Sequence, residues 1–221
     1  MPILLQKKIN TKFESPKDLY RFALNLSSNN IEQEDPTYTK ENILEIEKIY
    51  KNMNLNKKII FLAPFAASLN YKVLSKDFWT NLADRLINTG YDVIFNARET
   101  DFPKYKCLFL PITQVGIFVN KCYACVAFRS GLADIISLTP PEKFYVIYPK
   151  LMEHPTLGLA QRDVWKNTYK FNPNLSDEEN MYHLFSFESI IGKSSAEEII
   201  FDDKEEVFNE MIYKKIMEKK E

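Results

Sequence analysis

Two rhythms alternate along this chain: short unbroken apolar runs, and longer stretches with apolar residues three and four apart. The first rhythm belongs to strands buried on both faces, the second to helices with one apolar face. From Thr39, Ile43, Ile46, Ile49, Tyr50 and Met53 form one helical stripe with Thr39 as cap, broken at Asn54 and Asn56. Ile59-Ile-Phe-Leu-Ala63 then reads as a buried strand stopped by Pro64, leaving Phe65 to Asn70 as a loop at its carboxyl end. Ser75 caps a second helix with Phe78, Trp79, Leu82, Ala83 and Leu86 inward, and Gly90 closes it as the residue after the cap. Tyr91 to Asn96 follows as a second strand, completing a βαβ unit and predicting a parallel sheet with right-handed crossovers.

The pattern repeats in shorter form. Cys107 to Leu110 is a brief extended piece, Ile112 to Lys121 a helix, Tyr123 to Phe128 a strand and Leu132 to Leu138 a helix. Phe144 to Tyr148 is a further strand between Pro140-Pro141 and Pro149. The predicted fold is therefore α/β: a doubly wound, mostly parallel Rossmann-like sheet, a single lobe with helical N- and C-terminal extensions. Residues 1–37 read as an extension and connector holding a short helix with Leu19, Phe22, Ala23 and Leu26 at helical spacing. Residues 38–221 read as the lobe with a C-terminal helix. Within it Tyr182 to Ser189 is predicted as one more strand, and Lys204 to Lys219 as a helix with Val207, Phe208, Met211, Ile212 and Ile216 inward.

Composition narrows the function classes. The 221 residues carry a formal net charge of -1, which gives no bulk attraction to nucleic acid. No apolar run reaches membrane-span length, and the start lacks a signal-peptide core. Three cysteines without a pairing framework predict reduced thiols and a cytoplasmic setting. Cys122-x-x-Cys125 enters a strand with no second ligand pair, so it reads as two buried thiols, with no metal site expected. His154, before Pro155, reads as a surface histidine. The Gly-rich dinucleotide and P-loop signatures and the G-x-S-x-G nucleophile turn do not occur.

Candidate chemistry gathers on three loops at the carboxyl ends of strands, where open α/β sheets bind ligands. These are Pro64 to Asn70, Asn96 to Glu99, and Arg129 to Asp134. The last is a strand running into a turn with a helix opening at Ser130-Gly131, so backbone N–H groups and partial positive charge point at whatever lies above it. Arg129 adds a cationic fork suited to phosphate, although a protein carboxylate would serve it equally. Ser130 reads equally as a phosphate contact or a helix N-cap, and Gly131 as a ligand approach or a tight turn. Asp134, at the third helical position if Gly131 is the cap, reads as a helix-start carboxylate or a hydroxyl ligand.

Several stretches together resemble the donor-binding C-terminal lobe of a GT-B glycosyltransferase. Within that class the chain looks most like a bacterial capsule and surface-polysaccharide group, distantly similar to fucosyltransferase and heptosyltransferase folds. The carrying residues are Ile60-Phe-Leu-Ala-Pro64-Phe-Ala-Ala-Ser68, Phe78-Trp79-x-x-Leu82-Ala83-x-x-Leu86, Gly90-Tyr91-x-Val93-x-x-Asn96, Leu110-Pro111-Ile112 and Phe128-Arg129-Ser130-Gly131-Leu132-x-Asp134. The resemblance implies that Arg129, Ser130 and Gly131, with Asp134 beside them, face a nucleotide-sugar diphosphate, and that Ser68 and Asn96 line the same cleft. It also implies a glycan or lipid-linked acceptor, no cofactor and a metal-independent transfer. A GT-B enzyme has two such lobes, and here the pattern begins at Thr39. Two readings follow: a glycosyltransferase, complete or not, or a non-catalytic lobe that pairs with a separately encoded N-lobe or with its own copy.

Overall fold

The computed structural model describes residues 12, 14–23, 36–65, 74–149, 159–187, 189, 195–201 and 204–218. In chain order the elements are α1 (Pro16–Ala23), α2 (Lys40–Asn52), β1 (Ile59–Ala63), α3 (Lys76–Asn88), β2 (Asp92–Phe95), β3 (Lys106–Cys107), α4 (Ile112–Asn120) and β4 (Ala124–Phe128). They continue with α5 (Gly131–Leu138), β5 (Lys143–Tyr148), α6 (Leu159–Thr168), α7 (Asp177–Phe185), β6 (Glu197–Ile200) and α8 (Glu205–Met217). Contacts divide the chain into two compact units, one drawn from residues 1–34 and 150–194, the other from 35–149 and 195–221.

The larger unit is a six-stranded, all-parallel sheet in the order β3-β2-β1-β4-β5-β6. This is the Rossmann order, with the chain reversing direction between β1 and β4. Every residue of β1, β4 and β5 is buried, as continuous apolar runs covered on both faces require. Helix α3 buries the five predicted residues Phe78, Trp79, Leu82, Ala83 and Leu86 against the sheet. Its start is set by Ser75, whose hydroxyl accepts from the Phe78 N–H, and its end by Gly90 at φ 97°, a conformation that costs glycine little.

Two predicted faces are narrower than the periodicity implied. On α2 only Ile46 is fully buried, and Ile43 is 38% exposed. On α8 Phe208, Ile212 and Ile216 are buried, with Phe208 packed on Phe78 of α3, but Val207 is 52% exposed. Two tight fits hold the remaining layers. Gly116 on α4 leaves room for Tyr38 Oη and Thr139 Oγ1, which lie 3.0 Å apart in a hydrogen bond; a Cβ at 116 would land against both oxygens. The Lys143 ammonium, on a side chain 4% exposed, donates to the carbonyls of Lys215, Ile216 and Glu218 and so closes the C-terminus of α8.

The smaller unit is helical where it is described. The strand expected over Tyr182–Ser189 is instead mostly helix: α7 runs through Phe185. The cause is a capping box, in which Ser176 and Glu179 satisfy each other's backbone N–H groups and commit the segment to a helix three residues before its apolar positions begin. Asn180 fastens α7 to the preceding loop by donating to the carbonyls of Asn172, Leu175 and Ser176. On α6, Trp165 stacks on Tyr169 and meets Phe185 of α7 edge-on.

Candidate functional site

Strand order places the ligand edge. The chain winds outward from β1 through β2 to β3, then returns to β4 on the other side of β1, so a crevice opens beyond the carboxyl ends of β1 and β4. Pro64 and Phe65 end β1 there, Asn96 follows β2, and Arg129 follows β4. Ser68 and His154 lie outside the described residues.

Arg129 is held by the strand beside it: its N–H donates to the Ile147 carbonyl at 2.9 Å, extending the β4–β5 ladder by one residue. Its side chain is only 11% exposed. One guanidinium nitrogen, Nη1, lies 2.6 Å from Asp134 Oδ1 and also donates to the Ser130 carbonyl at 3.3 Å. The contact with Asp134 is a close ion pair. Burial pushes the Asp134 carboxyl up, and the Arg129 charge pulls it back only in part. The pair is thus a half-desolvated carboxylate and a cation that any stronger anion can compete for.

The turn shows the local roles of Ser130, Gly131 and Asp134. Ser130 is the N-cap of α5: its hydroxyl accepts from the Ala133 N–H and donates to the Phe128 carbonyl. The cap is therefore Ser130, not Gly131, and Asp134 is the fourth helical residue rather than the third. The N–H groups of Gly131 and Leu132 are the ones a helix start leaves over. Gly131 has no positive φ, and a Cβ built there would meet nothing within 4 Å. Neither the turn nor the packing requires glycine at 131, and the space above its backbone is open.

Two further atoms mark the edge. Asn96 is 8% exposed and its Oδ1 has no hydrogen-bond partner; Trp79, in the first turn of α3 and 2% exposed, leaves Nε1 without one. An orphaned buried polar atom costs about 1–3 kcal/mol, which a ligand hydroxyl or water would offset. Phe65 is 52% exposed and tilts against Phe102 at 5.9 Å, giving the β1 loop an open aromatic face.

Two site residues are not evident from sequence pattern. Tyr148, at the carboxyl end of β5, donates its hydroxyl to Glu198 on β6 and stands level with Arg129 on the next strand. Burial and the Glu198 carboxylate drive its phenol far above the ordinary range, against an opposing pull from Arg129. The one sequence signal was a tyrosine ending a buried strand next to Pro149.

Other places in the larger unit do not fit an anion. A groove of about 590 Å³ between α3 and α8 is lined by Asp77, Asp84, Glu205 and Glu206 against one cation, Arg85, which pairs with Glu210, so its net charge disfavours an anion. Cys122 and Cys125 are buried thiols, the first pushed up to about 12 by desolvation and the second well above its usual value. Burial and a raised thiol both disfavour the thiolate form that metal binding and redox exchange use. Among the described residues no cluster of metal ligands occurs, and no helix is long and apolar enough to cross a membrane.

No protein-family profile matches the chain, and no curated protein matches it by sequence. Among solved structures it is similar to a glycosyl transferase family 9 protein from Veillonella parvula DSM 2008, with a TM-score of 0.57 at 12% identity over 93% of this chain and 58% of that one. It is also similar to the E. coli ADP-heptose LPS heptosyltransferase II, with a TM-score of 0.44 at 13% identity over 72% and 55%. The chain spans little more than half the length of the solved structures it matches. At such identities the likeness is one of fold: the α/β Rossmann-like architecture foreseen from the apolar runs is shared with a glycosyltransferase family 9 structure.

Proposed function

We propose that this is a glycosyltransferase-like protein that binds a nucleotide-activated sugar at the carboxyl edge, in the synthesis of a surface glycan. The observation that carries the reading is Arg129: a nearly buried guanidinium at the switch point, beside the leftover N–H groups of α5 and paired with a half-desolvated carboxylate. A diphosphate takes the place of Asp134 on the fork and accepts from the Gly131 and Leu132 N–H groups. Asp134 then serves as an internal stand-in for the ligand rather than a contact to it. Asn96 offers Oδ1 to a hydroxyl. In a transfer reaction the same cation and helix start would stabilise the leaving diphosphate without a metal.

Titration calorimetry against GDP, UDP, ADP and CMP sugars tests the reading. Binding by one of them, lost on Arg129→Ala, is the expected result; a folded protein that binds none removes it.

A second reading has its own support. Phe109 is 67% exposed and Ile112 57%, and with Phe65 they leave large apolar side chains on the loops and helix start at the carboxyl edge. A lobe that pairs with a separately encoded partner would cover them. Light scattering that finds a lone chain by itself and a complex with the product of a neighbouring reading frame favours this reading.

A further inference from the structure

The register of three strands brings a third layer of groups behind Arg129. Phe128 pairs with Ile147, so Arg129 is level with Tyr148 on the adjacent strand. Val146 pairs with Glu198 and Tyr148 with Ile200, so Glu198 shares a sheet face with Tyr148 at the diagonal position. Tyr148 is 3% exposed, and its hydroxyl donates to Glu198 with the Arg129 charge close beside it. A hydroxyl that donates to a carboxylate is a stronger acceptor toward a cation beside it than it would be alone. The arrangement also places groups of unlike kind beside the guanidinium. Asp134 is a charged partner whose place an anion can take, whereas Tyr148 is a neutral oxygen that does not repel one.

Resting on the anion-site reading above, we propose that Tyr148 and Glu198 are positioning residues for Arg129. Through the Tyr148 hydroxyl they keep the guanidinium fork at the carboxyl edge while an incoming diphosphate takes over from the Asp134 carboxylate. A guanidinium has five N–H donors in a fixed plane, so one bond to a rigid acceptor sets the direction of the others. Glu198 acts at one remove: it fixes the rotation of the phenol O–H, which turns the oxygen lone pairs toward Arg129. The edge strand β6 therefore contributes to a site two strands away without touching the ligand.

The test uses the full chain and inorganic pyrophosphate as the probe, with Tyr148→Phe, Glu198→Gln and Arg129→Ala. Calorimetry is expected to show pyrophosphate weakened about tenfold in Tyr148→Phe, the scale of one charge-assisted hydrogen bond. In Glu198→Gln, which keeps an acceptor for the phenol, the loss is roughly threefold, a partial rescue that general loosening would not produce. A second readout needs no ligand: the Arg129 side-chain Nε–H signal, assigned by its loss in Arg129→Ala, shifts and exchanges faster in Tyr148→Phe. An unchanged Arg129 signal together with wild-type pyrophosphate affinity in both variants overturns the positioning role and leaves the anion site standing. If the wild type binds neither pyrophosphate nor any nucleotide sugar, the functional reading falls and with it the role proposed here. Should Tyr148→Phe fail to fold, Glu198→Gln, at an exposed residue, decides the question alone.

Discussion

Lys143 and Arg129 are buried cations on neighbouring strands, at opposite edges of one sheet, and their surroundings differ in kind. The Lys143 ammonium at the amino edge is enclosed by backbone carbonyls at the end of α8, partners that cannot leave without unwinding the helix. Arg129 at the carboxyl edge is held by a carboxylate that burial has made a reluctant anion, with a phenol beside it. The first arrangement is closed and serves the fold; the second is exchangeable, and exchange is what ligand binding requires. Two glycines make the same contrast. Gly116 sits where a side chain would strike Tyr38 and Thr139, while Gly131 sits under open space.

The largest effect is expected at the closed cation. Lys143→Met removes the donor from at least three carbonyls and should lower unfolding free energy by about 3 kcal/mol in denaturant melts. A cost near that of Arg129→Met would collapse the distinction between the two cations. Next comes Gly116→Ala. Within a helix this exchange ordinarily stabilises by up to about 1 kcal/mol, but the clash should reverse the sign and cost about 1–2 kcal/mol. Adding Tyr38→Phe, which removes one of the two oxygens, should restore part of the loss. Gly131→Ala is the counterpart: melting is unchanged or slightly raised, while nucleotide affinity falls about three- to tenfold if a phosphate approaches that backbone. Unchanged affinity would return Gly131 to an ordinary helix-start residue.

The smallest effect concerns a carboxylate at the amino edge, Asp92, which accepts from Lys106 Nζ at 3.0 Å and the Lys57 N–H at 3.2 Å. Burial pushes its carboxyl up, but those two hydrogen bonds win and hold it below the usual value. A depressed folded value means stability that is present above the unfolded carboxylate range and lost as pH falls through the folded one. Asp92→Asn should therefore differ from wild type by at most about 1 kcal/mol at pH 6 and converge with it toward pH 3, read from melts across that window. Asp134, whose value is raised, has the opposite slope.

These pairs also mark how much could be read from residue order. Burial on both faces writes itself into β1, β4 and β5 as unbroken apolar runs, and the caps Thr39, Ser75 and Ser130 are side chains whose local hydrogen bonds define a helix start. Strand β6 carries no such mark. It is a four-residue edge, Glu197-Glu-Ile-Ile200, with half its positions charged, and Tyr182–Ser189 was taken in its place although Ser176-x-x-Glu179 announces a helix. The loops bearing Asn96 and Arg129 were legible because strand ends in a parallel sheet converge. That Arg129 faces Asp134, that Tyr148 stands behind it and that Lys143 is buried were not, because each depends on side chains meeting across elements that have no pattern in common.

The late arrival of β6 has a consequence for how the molecule is made. Strand β5 is apolar from Phe144 through Tyr148, and its partner on the outer side comes from residues some fifty positions further along, with Ile147 meeting Ile199. Until that segment leaves the ribosome, a flat, uncharged and bulky strand has an unpaired row of N–H and C=O groups on one side, the kind of surface that recruits other chains. Nascent or truncated chains ending before Glu197 should aggregate through Phe144–Tyr148. The two glutamates that open β6 then act as gatekeepers: they place charge at the border of the finished sheet, where the unfinished one had none.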